Sequence, residues 1–599
     1  MKKGKTKVSF IVVFVLVALV YLVLLELSKN VVAGWLGAVV VLCGFFLLHQ
    51  KLLVDKSWIL RLLGWIVLFL LLFGIYKLSY PPYKTVPAVT YKNPVSTDVV
   101  SVEQGDLTGV YNEDQSVEVY TGIPYAAPPV GDLRFKETQP AESWEGVKVC
   151  DHFAPMSMQS ESSTLWNSLV GAYIYNNLKL FDFSDNYREA MSEDSLYLNI
   201  WKPAGDISDC PVIVFIHGGS LQTGQSSYDQ YRGETYAKKG IVFVSITYRL
   251  NIFGYYADED LIAESPNNTT GNYGLLDQIE ALKWVNANIA SFGGDVNNIT
   301  IAGESAGASS VNALCVSPLA KGLFKKAVAE SSGIVAHTPY HTFRSLKEAL
   351  EMKKDAFATL GVSSVEEMRA LDAKTLVGAA GQYNSMTVDG YAITKQPYLT
   401  YEAGENNEEA LINGFNAHEA DVFTILGTKV TEENYEEILR SYFGDSTEKI
   451  MELYPATAGD GAKSQYNAVM SASWFAYSHY TWSRYLAAQN KPVYEYYFTK
   501  ENKGLSTNHA GELPYFYGCL ETQPQNYTDS DYALSETITD YIANFAKTGD
   551  PNGEGLPTWP TYEEMPNRVL ELGETVEMTE DPFLDLYQVI DEAQGYDFE

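Results

Sequence analysis

The most informative segment of the chain is Thr300-Ile-Ala-Gly-Glu-Ser-Ala-Gly-Ala-Ser310. Residues 299–302 are typical of a short buried strand, and small residues suited to a helix start follow Gly307. Between them stands Gly-x-Ser-x-Gly, which favours a tight strand-to-helix turn that lifts a serine hydroxyl above a sheet. Gly303 and Gly307 suit this turn because strand and helix pass too close for a Cβ atom. Five residues alone are a weak signal, and a capping serine in an ordinary turn is the alternative.

Three apolar runs precede this region, at residues 8–27, 31–48 and 58–76, each about long enough to cross a bilayer. A cleaved signal peptide is the alternative for the first, but no small-residue cleavage site follows it. Four lysines precede the first run, and Lys51, Lys56 and Arg61 lie at the junction of the second and third runs, whereas residues 28–30 are nearly uncharged. This pattern predicts a multi-pass cell-membrane protein with a cytoplasmic N-terminus, so that everything after residue 76 lies on the extracytoplasmic side.

Charge and cysteine content limit the classes of partner. The chain has 599 residues and a formal net charge of −33. After residue 76, 34 basic residues stand against 73 acidic ones, a net charge of −39. This acidity argues against nucleic acid as a partner. Five cysteines without a C-x-x-C pair or zinc-type spacing predict no metal site and demand no disulfide.

The order of periodic segments predicts the domain organisation. Residues 1–76 form a three-helix transmembrane anchor, 77–99 a proline-containing linker, and 100–599 one large domain. Within that domain, apolar strand-like runs at 211–217, 241–248, 410–414 and 493–498 alternate with helical periodicity at 275–292 and 530–547. Such alternation predicts an α/β fold, with a mostly parallel twisted sheet and helices on both faces. A charged helical stretch at 340–387 is predicted to be an insertion over the sheet.

Several further motifs, in order along the chain, resemble the type-B carboxylesterase family, the branch of the α/β hydrolases that includes cholinesterases. They are Gly122-Ile-Pro-Tyr-Ala126, Ser192-Glu-Asp-Ser-Leu-Tyr-Leu-Asn-Ile-Trp201, Phe292-Gly-Gly-Asp295, Val388-Asp-Gly390 and Trp559-Pro-Thr-Tyr562. The resemblance spans about residues 97–570. It implies an α/β-hydrolase fold and hydrolysis of a small ester without a cofactor.

One departure concerns a disulfide of that family. Its second signature has Cys where this chain has Ser195, and the usual partner cysteine would fall near Ser157. Loss of both halves removes the bridge, so the loop between these positions is predicted to be more mobile than in the family.

A serine nucleophile needs a histidine base and a carboxylate, in the chain order Ser, acid, His for this fold. His337 and His341 follow Ser305 too early to leave room for an acid, and His479 lies in an aromatic helical run. His509 lies in a loop after the predicted strand 493–498, where the base belongs. The resemblance supports this choice through the family motif His509-x-x-Glu512-Leu513.

The acid and the oxyanion donors follow from the same comparison. Glu419 comes after the predicted strand 410–414, where the family has its catalytic Glu, although Ala420 replaces the usual Gly and Asp421 is a competitor. The N–H of Ala306 is one predicted oxyanion donor. By resemblance, the backbone amides of Gly219 and Ser220 are the others. Glu304 either tunes the field of the site or is a buried structural carboxylate, and both interpretations stay open.

These residues predict hydrolysis of carboxylic esters by a Ser-His-Glu triad through an acyl-enzyme. Cholinesterases hold choline on a Trp before the second signature, but no Trp occurs between Trp166 and Trp201, where the chain reads Phe181-Asp-Phe-Ser-Asp185. A general ester is therefore favoured over a choline ester. A cell-surface adhesion module of neuroligin type is the alternative function. The sequence does not separate esters from thioesters or amides, and it leaves the oligomeric state undetermined.

Overall fold

The computed structural model describes residues 2–177, 179–183, 186–338, 340–425, 427, 429–459 and 461–594. The chain forms two compact units. The helical unit comprises Met1–Thr85 and Glu161–Ala190, and the sheet unit comprises Val86–Ser160 and Met191–Glu599. The predicted boundaries at 76 and 100 stay a prediction. The grouping of Glu161–Ala190 with the N-terminal helices was not predicted, because it depends on contacts between residues far apart in sequence.

The helical unit contains α1 (Lys2–Leu27), α2 (Val32–Leu48), α3 (Trp58–Leu78) and α4 (Thr164–Tyr173). A π-helical turn, His49–Leu53, prolongs α2. Val8–Leu27, Val32–Leu53 and Trp58–Leu78 are long and apolar enough to cross a membrane, with mean hydropathies of 3.2, 2.1 and 2.4. These ranges agree with the predicted spans to within two residues, except that the π-helical turn lengthens the second.

The sheet unit is built on an 11-stranded sheet. Its strands are β1 (Val110–Tyr111), β2 (Val117–Pro124), β3 (Tyr197–Pro203), β4 (Cys210–Ile216), β5 (Val242–Ile246), β6 (Gly294–Glu304), β7 (Lys326–Glu330), β8 (Ala410–Asn416), β9 (Val493–Phe498), β10 (Arg568–Leu572) and β11 (Val576–Glu580). Their order across the sheet is β11-β10-β9-β8-β7-β6-β4-β5-β3-β2-β1. Across the sheet, the neighbouring strands β5, β4, β6, β7, β8, β9 and β10 pair in parallel. The remaining pairs, β5–β3, β3–β2, β2–β1 and β10–β11, are antiparallel.

Helices cover the sheet, and the central strands are apolar on both faces because both faces are buried. The helices are α5 (Glu234–Lys238), α6 (Asn251–Tyr255), α7 (Glu259–Glu264), α8 (Tyr273–Asn288), α9 (Ala306–Val316), α10 (Leu346–Glu351), α11 (Lys353–Leu360), α12 (Val365–Arg369), α13 (Ala373–Val377), α14 (Pro397–Glu402), α15 (Asp421–Thr424), α16 (Tyr435–Phe443), α17 (Thr447–Leu453), α18 (Ala462–Ser471), α19 (Tyr477–Ala488), α20 (Leu513–Phe516), α21 (Asp529–Thr548) and α22 (Leu584–Gln594). The predicted α/β fold is confirmed, and the charged stretch 340–387 contains the four short helices α10 to α13.

Parallel pairing brings the carboxyl ends of the central strands to one edge of the sheet. Ile216, the last residue of β4, pairs with Gly303, and Gly303 pairs with Ala329 of β7. The loops after β4, β6, β8 and β9 therefore leave the sheet on the same side. This edge is where open α/β sheets bind ligands.

Candidate active site

Ser305 stands at the turn between β6 and α9 with φ 56° and ψ −125°. This backbone conformation is strained for a residue with a side chain, and such strain is typical of functional turns. Neighbouring glycines make the turn possible: a Cβ on Gly307 would lie 2.0 Å from the carbonyl oxygen of Ile216, and one on Gly303 would lie 2.6 Å from the carbonyl carbon of Gly307. The Ser305 amide donates to the carbonyl oxygen of Glu330 at 2.9 Å, which holds the turn against β7.

Two short hydrogen bonds join three distant residues. The Oγ of Ser305 lies 2.8 Å from Nε2 of His509. The Nδ1 of the same ring lies 2.6 Å from Oε2 of Glu419. The Glu419 side chain is fully buried, and its Oε1 accepts a hydrogen bond from the amide of Asn416 at 2.7 Å. An imidazole held in this way has Nε2 directed at the serine and its other nitrogen donating to a carboxylate.

The loops that carry the acid and the histidine are fastened to each other. The amide of His418 donates to the carbonyl oxygen of Thr507 at 3.0 Å, and His418 and Asn508 form an isolated β-bridge. Ala420, which follows the acid, donates its amide to Oγ of Ser471 at 2.9 Å. Asp421, the competing acid, begins α15 and makes no direct contact with His509 that the structure records. The geometry therefore favours Glu419.

Hydrogen bonds hold the backbone carbonyls of the loop after β4. The carbonyl of His217 accepts from the Tyr248 hydroxyl at 2.7 Å, and the carbonyl of Gly218 lies 2.8 Å from Nδ1 of the His217 ring. The carbonyl of Gly219 accepts from the amides of residues 222 and 223 at 2.9 and 3.0 Å. Because N–H and C=O point in opposite directions in a trans peptide, the amides of Gly219 and Ser220 are turned away from these contacts.

Close packing and positive φ angles shape this loop. A Cβ on Gly218 would lie 3.0 Å from Cβ of Ser305, so the loop touches the nucleophile. Gly219, Ser220 and Leu221 have φ values of 103°, 57° and 57°. Burial lowers the pKa of His217 to about 4, so its ring is neutral and can donate one hydrogen bond to the loop.

A third carboxylate, Glu304, contacts the imidazole. Its Oε1 lies 3.2 Å from Nε2 of His509, and burial raises the pKa of Glu304 to about 8. Burial by itself would lower the pKa of His509, but Glu304 and then Glu419 outweigh it and raise that pKa to about 9. This contact favours the interpretation in which Glu304 tunes the field at the histidine.

A fourth carboxylate lies behind the histidine loop. Glu512 is fully buried and accepts hydrogen bonds from the Ser331 hydroxyl at 2.8 Å and from the side-chain amide of Asn416. Burial and the nearby Glu419 charge raise the pKa of Glu512 to about 7. The sequence identified Glu512 only as part of the histidine motif.

Comparison with known proteins decides the family. Residues 96–589 match the profile described as "Carboxylesterase family". The chain belongs to the carboxylesterase family. It is 32% identical over 491 residues to a medium-chain fatty acyl-CoA hydrolase precursor of Anas platyrhynchos, covering 77% of this chain and 85% of that protein. It is 30% identical over 478 residues to the fumonisin B1 esterase of Sphingopyxis macrogoltabida, covering 77% and 84%.

Solved structures agree with this assignment. The carboxylesterase Est55 of Geobacillus stearothermophilus has a TM-score of 0.70 at 31% identity, covering 82% of this chain and all of that one. A structure named PNB esterase has a TM-score of 0.69 at 28% identity, covering 82% and 99%. The protein is therefore a carboxylic ester hydrolase with the α/β-hydrolase fold.

Two aromatic rings flank the histidine of this carboxylesterase, and sequence reasoning missed both. The rings of Phe423 and Phe475 lie 5.0 and 4.8 Å from the His509 ring, centroid to centroid, and 5.8 Å from each other. Phe423 lies in α15, four residues after Glu419. Phe475 lies in the π-helical segment Ala472–Ala476, a distortion that is frequent at functional sites. The one sequence signal for Phe423 was its position four residues after the predicted acid, Glu419.

The missing disulfide of this carboxylesterase is replaced by a hydrogen bond. Ser157 and Ser195 are both buried, and their Oγ atoms lie 2.9 Å apart. The Ser157 hydroxyl also donates to the carbonyl oxygen of Tyr248 at 2.7 Å. Increased mobility of the intervening loop stays a prediction, and Leu178, Ser184 and Asp185 of that loop lie outside the described residues.

Two of the other histidines after Ser305 are enclosed in the protein interior. His341 and His479 are fully buried, and burial lowers the pKa of each to about 3. Across the residues that the structure describes, no group of three or more His, Cys, Asp or Glu side chains is arranged to hold a metal ion.

Proposed function

We propose that this carboxylesterase hydrolyses esters with a triad of Ser305, His509 and Glu419 through an acyl-enzyme. The observation that carries the proposal is the continuous hydrogen-bonded line from the serine oxygen through both imidazole nitrogens to a buried carboxylate, with distances of 2.8 and 2.6 Å. A serine hydroxyl becomes a nucleophile when a base accepts its proton during attack, and this line provides such a base.

The reaction takes place in two halves. Ser305 Oγ attacks the ester carbonyl carbon while its proton moves to Nε2 of His509, and the carbonyl oxygen becomes an oxyanion. The amides of Gly219, Ser220 and Ala306 donate hydrogen bonds to that oxyanion. The intermediate then expels the alcohol, which takes the proton from His509. A water molecule then attacks the acyl-enzyme in the same way, with His509 again accepting the proton, and the carboxylic acid and free Ser305 are released.

Glu419 and Glu304 have different tasks in this scheme. Glu419 accepts from Nδ1 of His509, which fixes the tautomer and stabilises the imidazolium that forms in each half-reaction. Glu304 lies against Nε2, the nitrogen that exchanges the proton with Ser305. Its charge favours the imidazolium, so its protonation state sets how readily His509 acts as a base.

The surroundings of the site favour an ester with an apolar part. Phe423 and Phe475 present ring faces and edges beside His509, and Phe423 is about half exposed, so a substrate can reach it. The relatives carry names for different substrates, and we therefore propose the class of substrate only: neutral carboxylic esters with an apolar acyl or aryl group.

Covalent labelling tests the triad. A fluorophosphonate reacts only with an activated serine, so we expect one adduct at Ser305, found by peptide mass spectrometry. Ser309 provides the matched control: it lies one helical turn away in α9 and its Oγ is 2.7 Å from that of Ser332. Ser309→Ala should label fully and His509→Ala should not. Folded wild-type protein that resists the reagent would refute the triad and favour an adhesion module.

We further propose that α1, α2 and α3 anchor the enzyme in the cell membrane as three spans, with the sheet unit outside the cytoplasm. The three apolar lengths and the lysine distribution support this topology. A charged, membrane-impermeant fluorophosphonate tests it. It should label Ser305 in intact spheroplasts as strongly as after lysis, whereas a cytoplasmic serine hydrolase in the same cells should be labelled only after lysis. Labelling of Ser305 that requires lysis would reverse the topology.

The adhesion alternative has less support. The relatives described above are named as esterases or hydrolases. The Ser305 hydroxyl, the His509 ring and the Glu419 carboxylate are within hydrogen-bonding distance, an arrangement that an adhesion module does not need.

A further inference from the structure

We propose that residues 162–177 and 179–183 form a lipid-contacting segment at the membrane–water interface on the extracytoplasmic side, attached to the ends of the transmembrane helices. The inference rests on the proposed membrane anchor and goes beyond it, because the segment lies more than 80 residues after α3 in the chain. Four observations carry it: where the segment is attached, which side chains it exposes, the absence of charged residues from its first part, residues 162–177, and the geometry of the nearby helix ends.

Hydrogen bonds attach the segment to the turn between α1 and α2. Thr164 Oγ1 donates to the carbonyl oxygen of Ser28 at 2.8 Å, and Lys29 Nζ donates to the carbonyl oxygen of Lys179 at 2.5 Å. The amide of Phe181 donates to Oε1 of Glu26 at 2.5 Å. Both ends of the segment are therefore fixed at the same pair of helix ends.

The turn between α1 and α2 is hydrogen-bonded to the C-terminal end of α3. Val31 donates its amide to the carbonyl oxygen of Ser79 at 3.0 Å, and the Asn30 side-chain amide donates to the carbonyl oxygen of Tyr76 at 2.8 Å. In a three-span anchor these ends share one side of the bilayer. By the lysine distribution it is the extracytoplasmic side.

The segment exposes large apolar side chains at this level. Trp166, Leu169 and Tyr173 of α4 are spaced three and four residues apart, so they share one face of the helix, and Tyr173 is 80% exposed. Phe181 and Phe183 are also exposed. Their ring centroids lie 5.8 and 6.3 Å from that of Trp35, in the first turn of α2. Trp and Tyr side chains are enriched at the level of lipid headgroups.

Charge distinguishes the segment from the rest of the extracytoplasmic chain. Residues 162–178 contain no Asp, Glu, Lys or Arg, whereas the chain after residue 76 carries a net charge of −39. An uncharged apolar face can enter the headgroup region next to anionic lipid, which an acidic surface cannot do without repulsion. Phe181 and Phe183 connect the segment to Trp35 of α2, one of the three apolar helices long enough to cross a membrane. The structure thus assigns lipid, rather than a second protein, as its occupant.

Photocrosslinking on the full-length enzyme tests the proposal. The protein is reconstituted in vesicles of phosphatidylcholine and phosphatidylglycerol that contain an alkyne-tagged lipid, with Tyr173→p-benzoylphenylalanine as the probe. The same replacement at Leu70 in α3 marks a transmembrane surface, and at Val149 it marks an exposed aliphatic site of the sheet unit. We expect a lipid adduct at Tyr173 about ten-fold above that at Val149, and a strong adduct at Leu70.

A matched pair of charges sharpens the test. Leu169→Glu introduces a charge on the apolar face, and Asn167→Glu introduces the same charge on another, exposed face of α4. The adduct at Tyr173 should fall several-fold with Leu169→Glu and stay unchanged with Asn167→Glu. Hydrolysis of a water-soluble ester should be the same in both variants, which shows that the fold is intact.

The outcomes separate this inference from the anchor. An adduct at Leu70 with only the Val149 background at Tyr173 would overturn the lipid contact and keep the anchor. Loss of adducts at both Leu70 and Tyr173 would overturn both. Crosslinks from Tyr173 to protein, or a lipid adduct at Val149 as strong as that at Tyr173, would also overturn the proposal.

Discussion

A methyl group added at Gly307 would lie 2.0 Å from a backbone oxygen of β4, whereas one added at Gly74 in α3 would meet nothing within 4 Å. The first glycine belongs to the nucleophile turn, where strand, helix and loop backbones touch. The second lies on an apolar helix whose surface faces outward. Backbone packing therefore fixes the conformation of the nucleophile turn, whereas the ability of the apolar helices to cross a membrane depends on their length and composition.

The two regions also differ in what they bury. In the sheet unit the carboxylates Glu304, Glu419 and Glu512 are buried, each in contact with a histidine or a hydrogen-bond donor. In α1 to α3 large apolar side chains such as Leu70 are exposed. Buried charge serves chemistry because the low dielectric strengthens its interactions, and exposed apolar surface suits lipid.

Removing the nucleophile should have the largest effect. Ser305→Ala leaves His509 with no hydroxyl to deprotonate, so kcat for a chromogenic ester should fall about 10⁴-fold or more. The melting temperature should change little, since the Ser305 side chain is small and only partly buried. Ser309→Ala should keep both activity and stability. Wild-type activity in Ser305→Ala would rule out the triad.

The glycine comparison gives the next largest effect. Gly307→Ala forces β4 and α9 apart and should destabilise the sheet unit by about 3 kcal/mol or more, with loss of activity. Gly74→Ala should leave stability unchanged or raise it by up to about 1 kcal/mol, because Ala favours a helix more than Gly does, and should leave activity unchanged. Thermal unfolding of the detergent-solubilised protein measures both. Equal effects of the two variants would show that backbone contact does not distinguish the regions.

Restoring the disulfide should have an intermediate effect. The Oγ atoms of Ser157 and Ser195 are 2.9 Å apart, so Ser157→Cys combined with Ser195→Cys should form a bridge. The bridge should stabilise the oxidised protein by about 2–4 kcal/mol relative to the reduced protein, because it constrains the unfolded chain. Each single variant is the control and should show no redox dependence. A double variant that stays reduced under mild oxidation would contradict the geometry.

The smallest effect concerns pH. Glu304 raises the pKa of His509, and the histidine must be neutral to act as a base. Glu304→Gln removes that carboxylate charge, so the pKa of His509 falls and the acidic limb of the kcat/KM profile moves to lower pH. Glu512→Gln should move it in the same direction by less, since Glu512 makes a smaller contribution to the pKa of His509. A limb that stays in place or moves to higher pH would refute the role of Glu304.

Local sequence predicts the elements of the sheet unit closely. β9 lies at the predicted residues 493–498, and α21 extends the predicted 530–547 by one residue at each end. β6 begins five residues earlier than predicted, because its first part is polar and partly exposed and lacks the apolar signal. The aromatic pair Phe423 and Phe475 was not predicted, because the two residues meet only after α15 and the π-helical segment fold beside His509.

Sequence motifs alone were enough to predict the family, the order of nucleophile, acid and base, and the three apolar spans, because each depends on residues that are close together or on chain order. Only the tertiary structure decided that Glu304 lies 3.2 Å from the imidazole, that two serines bond where a disulfide is absent, and that Glu161–Ala190 joins the N-terminal helices. Each of these is a contact between distant positions, and a contact of that kind is set by how strands and helices pack rather than by any local pattern.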